Sequence, residues 1–178
     1  AVPAIAGLIA DVVERFHAEA PHARLEWIRP NSEAYPLVAD GVIDIAHLGG
    51  DARLPDGLET QQMKPFVWLT FVRKGHPALK RWGMEEWLKW PHVLVDIANR
   101  VRNPVNEVLA AEGKERSIGA LIPDFSGVAP LVARTNMLAT FPMLSMQHDM
   151  QVYDLRVLVP PVELPPFPVR FCWSSRLA

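Results

Sequence analysis

The chain offers few side chains at spacings that support catalysis. Six histidines are scattered through it (His17, His22, His47, His76, His92 and His148), and no two stand at metal-ligand spacing. The sequence contains no GxSxG, HExxH, CxxC, GxxxxGK[ST] or GxGxxG pattern. Asp44 lies inside the apolar run VIDIA, where an acid more often faces a helix terminus or an arginine than serves as a base. Gly49-Gly50 is not followed by a helix-opening pattern, so it reads as a turn and not as a phosphate cradle. These residues do not describe an enzyme.

Binding chemistry is better represented, at the points where strands give way to helices. Three such junctions carry short polar residues: Asn31-Ser32, Asn99-Arg100-Val101-Arg102, and Ser126-Gly127 after Phe125. In open α/β sheets ligands sit beyond the carboxyl ends of strands, where backbone N–H groups and helix N-termini converge. Any one junction is explained by capping alone. Together, with Arg100 and Arg102 beside one of them, they suit a small anionic ligand, whose carboxylate gains charge-assisted hydrogen bonds. Trp82, Trp87 and Trp90 recur closely but without interleaved basic residues, which favours packing over base stacking.

The elements that must position these residues follow from periodicity. Ile5, Leu8, Ile9, Val12, Val13 and Phe16 fall on one helical face, and Pro21 ends that helix. Alternation predicts a strand over 24–29, and Pro30-Asn31-Ser32 opens a short helix ending at Gly41. Strand 42–48 comes next, closed by Gly49-Gly50, with Pro55-Asp56-Gly57 as a turn. Residues 65–72 are nearly all apolar and end in Arg73-Lys74-Gly75-His76-Pro77, which predicts a strand buried on both faces and then a sharp turn. The second half repeats the logic. Helices are expected over 84–90, from Asn103-Pro104 to Gly113, from Ser126 through Val132, and over 142–150. Strands are expected over 92–96, 118–122, 137–141, 153–159 and 169–173. The pattern is α/β with mainly parallel sheets.

Composition sets outer limits. The 178 residues are 49% hydrophobic and 21% charged, enough for one sizeable core or two small lobes. A net charge of −2 provides no basic field for nucleic acid or an anionic membrane. One cysteine, Cys172, excludes an internal disulfide framework and fits a reducing, cytoplasmic compartment. No apolar run reaches the roughly 20 residues of a membrane span, and the amino terminus lacks a signal peptide's basic region.

Several stretches taken in order carry a resemblance. GVIDIA (41–46), FVRKGHPAL (71–79), PHVLVD (91–96), PDFSGVAPLVARTNMLATFP (123–142) and the closing FCWSSRLA resemble the effector-binding domain of LysR-type transcriptional regulators. The resemblance covers essentially the whole chain. It implies a type-2 periplasmic-binding-protein-like fold: two Rossmann-like lobes joined by two crossover hinge strands, with a small-molecule effector in the cleft. Lobe I is expected over 1–72 with 151–178 and lobe II over 73–150. The hinges are expected at 66–73 and near 147–153. Carried over by position, Asn31, Ser32, Asn99, Arg100, Phe125, Ser126 and Gly127 are effector-binding candidates, and Ile5, Ile9 and Val12 are dimer contacts. The family implies a homodimer or homotetramer, no cofactor or metal, and DNA binding only through a winged helix-turn-helix that would precede Ala1. A free-standing solute-binding protein of a transport system is the alternative expectation.

Overall fold

The structure, a computed structural model, describes residues 6–28, 34–49, 54–96 and 103–177. Two units emerge, one of residues 1–66 with 167–178 and the other of 67–166.

In the first unit, helix α1 (Ala6–Glu19) carries the expected amphipathic pattern, and α2 (Ala34–Ala39) ends at Gly41, whose φ of 75° only glycine adopts freely. Strands β1 (Ile45–Gly49), β2 (Leu58–Gln62) and β8 (Val169–Ser174) form an antiparallel sheet in the order β1-β8-β2. The register sets Ala46 and Thr60 on either side of Cys172. Cys172 is buried with Val38 of α2, and Tyr35, Ile43, Ala46, Leu54 and Leu58 pack around them. Asp44 lies ahead of β1 and is exposed, so it is no buried base.

The second unit holds β3 (Trp68–Val72), β4 (His92–Val95), β5 (Ile118–Ile122), β6 (Leu138–Pro142) and β7 (Arg156–Leu158). They form one sheet in the order β5-β4-β6-β3-β7. Helices α3 (Met84–Lys89), α4 (Pro104–Ala111), α5 (Val128–Arg134) and α6 (Gln147–Val152) connect them. One sheet face, with Phe71, Val93, Val95, Ala139 and Phe141, packs on Phe125 and on Val128, Ala129 and Val132 of α5. The other face is polar at its centre yet dry. Thr70 and Thr140 Oγ1 atoms lie 2.9 Å apart, and the indole of fully buried Trp87 donates to Thr140 Oγ1 at 3.3 Å. Helix α3 is therefore held by satisfied polar groups as well as by contact area, and Trp87 serves packing as expected.

The RKGHP turn is explained side chain by side chain. Gly75 takes φ 70°. Arg73 donates from two nitrogens to Asn136 Oδ1 at 3.0 and 2.8 Å. His76 Nε2 donates to the Asn136 carbonyl at 3.1 Å while its Nδ1 accepts from Ala78 N at 3.0 Å.

The structure corrects several expectations. The sheets are mixed: β4 is parallel to β5 and β6, whereas β3 pairs antiparallel with β6 and β7, and the first unit's sheet is antiparallel among the described residues. The unit boundaries fall at 66/67 and 166/167, not at 72/73 and 150/151, because β3 and β7 are bonded into the second sheet. Residues 147–152, expected near the return crossing, form α6 inside the second unit. Where the chain passes between units, Phe66 and Phe167 exchange backbone hydrogen bonds at 3.1 and 2.9 Å. The expected strand over 24–29 is not assigned across 23–28. Its alternation is intact, with Arg24 paired to Glu26 at 3.2 Å, but Leu25 and Trp27 stay 38% and 45% exposed. Strand β2 was not expected, because LETQQ is polar and largely exposed; it is an edge strand held by the backbone of β8.

Candidate functional site

Parallel strands β5, β4 and β6 deliver their carboxyl ends to one edge of the second sheet, the position where α/β folds place ligands. After β4, Asp96 N donates to Ile122 O at 2.8 Å, and the chain is next described at Asn103. Asn103 Oδ1 accepts from Val105 N at 3.1 Å and caps α4, with Pro104 behind it, as the sequence predicts.

After β5 the turn 125–127 is organised by Asp124, which the sequence reading did not single out. Asp124 Oδ1 accepts from Ser126 N at 2.9 Å and from the Ser126 hydroxyl. Ser126 is exposed, so its hydroxyl keeps lone pairs turned to solvent while its proton is committed to the carboxylate. Phe125 is 5% exposed and packs edge-on against Phe141 with ring centroids 5.0 Å apart. It belongs to the core and supports the turn from below. Gly127 lies between the turn and α5, where an added Cβ would stand 3.4 Å from Ile122 Cδ1. After β6, residues 143–146 form a tight turn in which the Ser145 hydroxyl is buried without a hydrogen-bond partner.

Asn31, Ser32, Asn99 and Arg100 lie outside the described residues, as does Ile5. On α1, Ile9 is half-buried and Val12 is 49% exposed. The structure therefore brings Ser126 and Gly127 to the carboxyl edge and turns Phe125 inward.

Sequence reasoning also missed two buried polar groups. In the first unit, His47 has both ring nitrogens buried and unpartnered, and burial pushes its pKa down to about 4, so the ring is neutral at pH 7. In the second, Arg116 is 7% exposed and contacts the α4 cap. Its neighbourhood, GKERS, reads as a polar turn, and nothing in the local pattern marks one of its cations as buried. Among the described residues no three His, Cys, Asp or Glu side chains converge to hold a metal, and no helix is long and apolar enough to cross a membrane.

A family model described as the LysR substrate binding domain matches residues 1–178. The chain belongs to the LysR family. It is 23% identical over 167 residues to the HTH-type transcriptional activator NagR of Ralstonia sp, a match covering 93% of this chain and 55% of that protein. To nodulation protein D 1 of Neorhizobium galegae it is 29% identical over 174 residues, covering 92% and 53%. The LysR chain thus spans about half the length of the curated relatives it matches. Among solved structures, it resembles the regulatory domain of MexT, a transcriptional activator in Pseudomonas aeruginosa, with a TM-score of 0.83 and 25% identity over 98% of this chain and 87% of that one. A sulfate-bound OxyR2 regulatory domain from Vibrio vulnificus gives a TM-score of 0.72 at 15% identity over 97% and 84%, a likeness of fold alone. The periplasmic-binding-protein-like fold expected for a LysR effector-binding domain is the fold observed.

Proposed function

We propose that this LysR domain binds a small molecule at the carboxyl ends of its strands and that binding modulates transcription through a DNA-binding segment of the parent protein. The observation that carries the reading is the match to the substrate-binding domain model over all 178 residues. Asn31, Ser32, Asn99, Arg100 and Ser126 are the proposed contacts. The two kinds of junction ask for different groups. Asn99 and Arg100 supply donors suited to a carboxylate. Asp124 and Ser126 instead present acceptors, since the Ser126 proton is already given to Asp124. The ligand is accordingly a small carboxylate that also carries a hydroxyl or N–H donor. The domain works in the cytoplasm without a cofactor, as a dimer or tetramer in which Ile5, together with Ile9 and Val12 of α1, meets a second copy.

A ligand that binds only the folded state raises its melting temperature by mass action. Thermal-shift titration with one aliphatic and one aromatic hydroxycarboxylate, malate and salicylate, is expected to give a concentration-dependent rise for at least one. Ser126→Ala is expected to weaken that ligand about tenfold, about 1.4 kcal/mol, without lowering the ligand-free midpoint by a comparable amount. A flat response to both acids, or equal affinity in the variant, defeats the assignment.

A further inference from the structure

Where the chain returns to the first unit, Pro165-Pro166-Phe167-Pro168 holds a single backbone N–H, that of Phe167. It donates to Phe66 O at 2.9 Å, and Phe66 N donates to Phe167 O at 3.1 Å. An antiparallel ladder would place its next hydrogen-bonded rung two residues on, between Trp68 and Pro165, where the proline offers a carbonyl but no donor. At that rung the Trp68 indole Nε1 donates to the Pro165 carbonyl at 2.9 Å. On the other side Met63 N donates to Val169 O at 2.9 Å, with one more residue between Met63 and Phe66 than between Phe167 and Val169. The ladder of β2 with β8 therefore does not run on in register, and Phe66–Phe167 is a lone rung with the indole bond beside it.

A buried indole N–H needs an acceptor, and Trp68 is 9% exposed. The acceptor it takes lies 97 residues away in sequence, on the returning chain. Trp82 makes the same kind of bond, its indole donating to Val159 O at 2.7 Å. Both ends of the proline-rich stretch 159–165 are thus held by indoles, but only the Trp68 bond adjoins the crossing. Trp68 also stands opposite Pro142, the last residue of β6, and Met143 N donates to Val67 O at 2.9 Å. The start of β3 therefore lies at the carboxyl end of β6, on the edge where the ligand is proposed.

We infer that Trp68 is a positioning residue. Its indole ties the returning chain at Pro165 to the carboxyl end of β6, keeps Phe66 paired with Phe167, and passes a change at that edge on to both crossings. The response to ligand rests on the function proposed above; the tie does not.

Hydrogen exchange followed by nuclear magnetic resonance separates the two. In the wild type a tie and a rung that open together give the Trp68 indole proton and the Phe167 amide protection factors that agree within about threefold. This measurement decides the tie even if a variant does not fold. Trp68→Phe keeps a ring and removes the donor, so its Phe167 amide is expected to exchange about tenfold faster, with the amides of β3 and β8 unchanged. Trp82→Phe, which frees the Val159 end, is expected to leave Phe167 at its wild-type rate. Where malate or salicylate binds, it is expected to slow Phe167 exchange about fivefold in the wild type and not in Trp68→Phe. An unprotected indole proton, a Phe167 amide as slow in Trp68→Phe as in wild type, or faster exchange spread evenly through β3 and β8 overturns the tie. A bound acid that leaves Phe167 unchanged in the wild type overturns the coupling to the ligand edge. Shared protection in a protein that binds neither acid supports the tie and removes the ligand reading instead.

Discussion

The two units are stabilised by different means. In the second, eleven buried side chains from three strands, α5 and the connecting turns form one cluster, and the opposite sheet face is closed by Trp87 over the Thr70–Thr140 pair. In the first, the described residues form a small cluster about Val38 and Cys172 with half-buried side chains around them, and bury Val169 and Ser174 besides. A small sheet with one thin layer removes less apolar surface from water, and burial is the main favourable term in folding. The second unit should accordingly be the more resistant to opening, and the first the more easily deformed. Truncating the second core tests this most directly. Phe71 is fully buried, and Phe71→Ala is expected to cost ~3–5 kcal/mol. Val38→Ala in the first unit removes two methyl groups and should cost roughly 1.5–2 kcal/mol. Hydrogen exchange read separately on β3/β6 and β1/β8 in each variant checks the contrast. Equal losses in both places would mean that the units share one cooperative core.

Acid gives a second way to separate the units. His92 in the second unit has its pKa lowered to about 4, by burial first and then by the Arg116 charge. The unfolded chain takes up a proton on this histidine near pH 6.5, the folded state only near 4. Between those values the unfolded state binds more protons, so stability rises with pH there, is flat above about 6.5, and is lost as pH falls toward 4. The span corresponds to about 3 kcal/mol for His92. His47 in the first unit has the same direction and a value also near 4, but it is less enclosed and water screens part of its effect. Urea midpoints at pH 7.5 and 4.5 are expected to fall more for the second unit than for the first. His92→Gln, whose amide can still donate toward the Trp87 carbonyl, should flatten the second unit's response and leave the first unit's slope intact. A wild-type midpoint that does not move between these pH values contradicts the burial of both rings.

The same contrast explains what could be read in advance. Buried strands such as HVLV over 92–95 and the LATFP run of β6 are legible because strands covered on both faces must be apolar throughout. Asn103-Pro104 and Gly113 mark both ends of α4 because a cap, a fixed φ and a positive φ of 67° each require a particular residue type. Strand β2 was hidden because a polar edge strand is defined by its partner's backbone and not by its own side chains. The unit boundary was misplaced for a related reason: the apolar run over 66–72 shows neither that Val67 is exposed nor which sheet takes up Trp68–Val72. At the site, Ser126 was legible as a polar junction, while Phe125 looked the same in sequence and turned inward. Arg116 was illegible because its acceptors come from α4 and β4, as many as 24 residues away.

Two threonines at the middle of their ladders reduce the comparison to a single side chain. Thr140 lies opposite Thr70 in the second sheet, 1% exposed, and its hydroxyl serves both Thr70 and the Trp87 indole. Thr60 lies opposite Cys172 in the first sheet and is exposed. Valine has nearly the same shape as threonine, so Thr→Val at either place isolates the hydroxyl. At Thr140 it strands the indole N–H and the Thr70 hydroxyl in a dry layer, which is expected to cost ~1–3 kcal/mol. At Thr60 it is expected to change stability by less than about 0.5 kcal/mol. Adding Thr70→Val to Thr140→Val removes one of the two stranded groups, so the double variant should recover part of the loss; the interaction term of the cycle measures the Thr70–Thr140 bond. Chemical denaturation of the four variants decides it. Additive losses at Thr70 and Thr140 would show that water reaches this face and that α3 does not seal it.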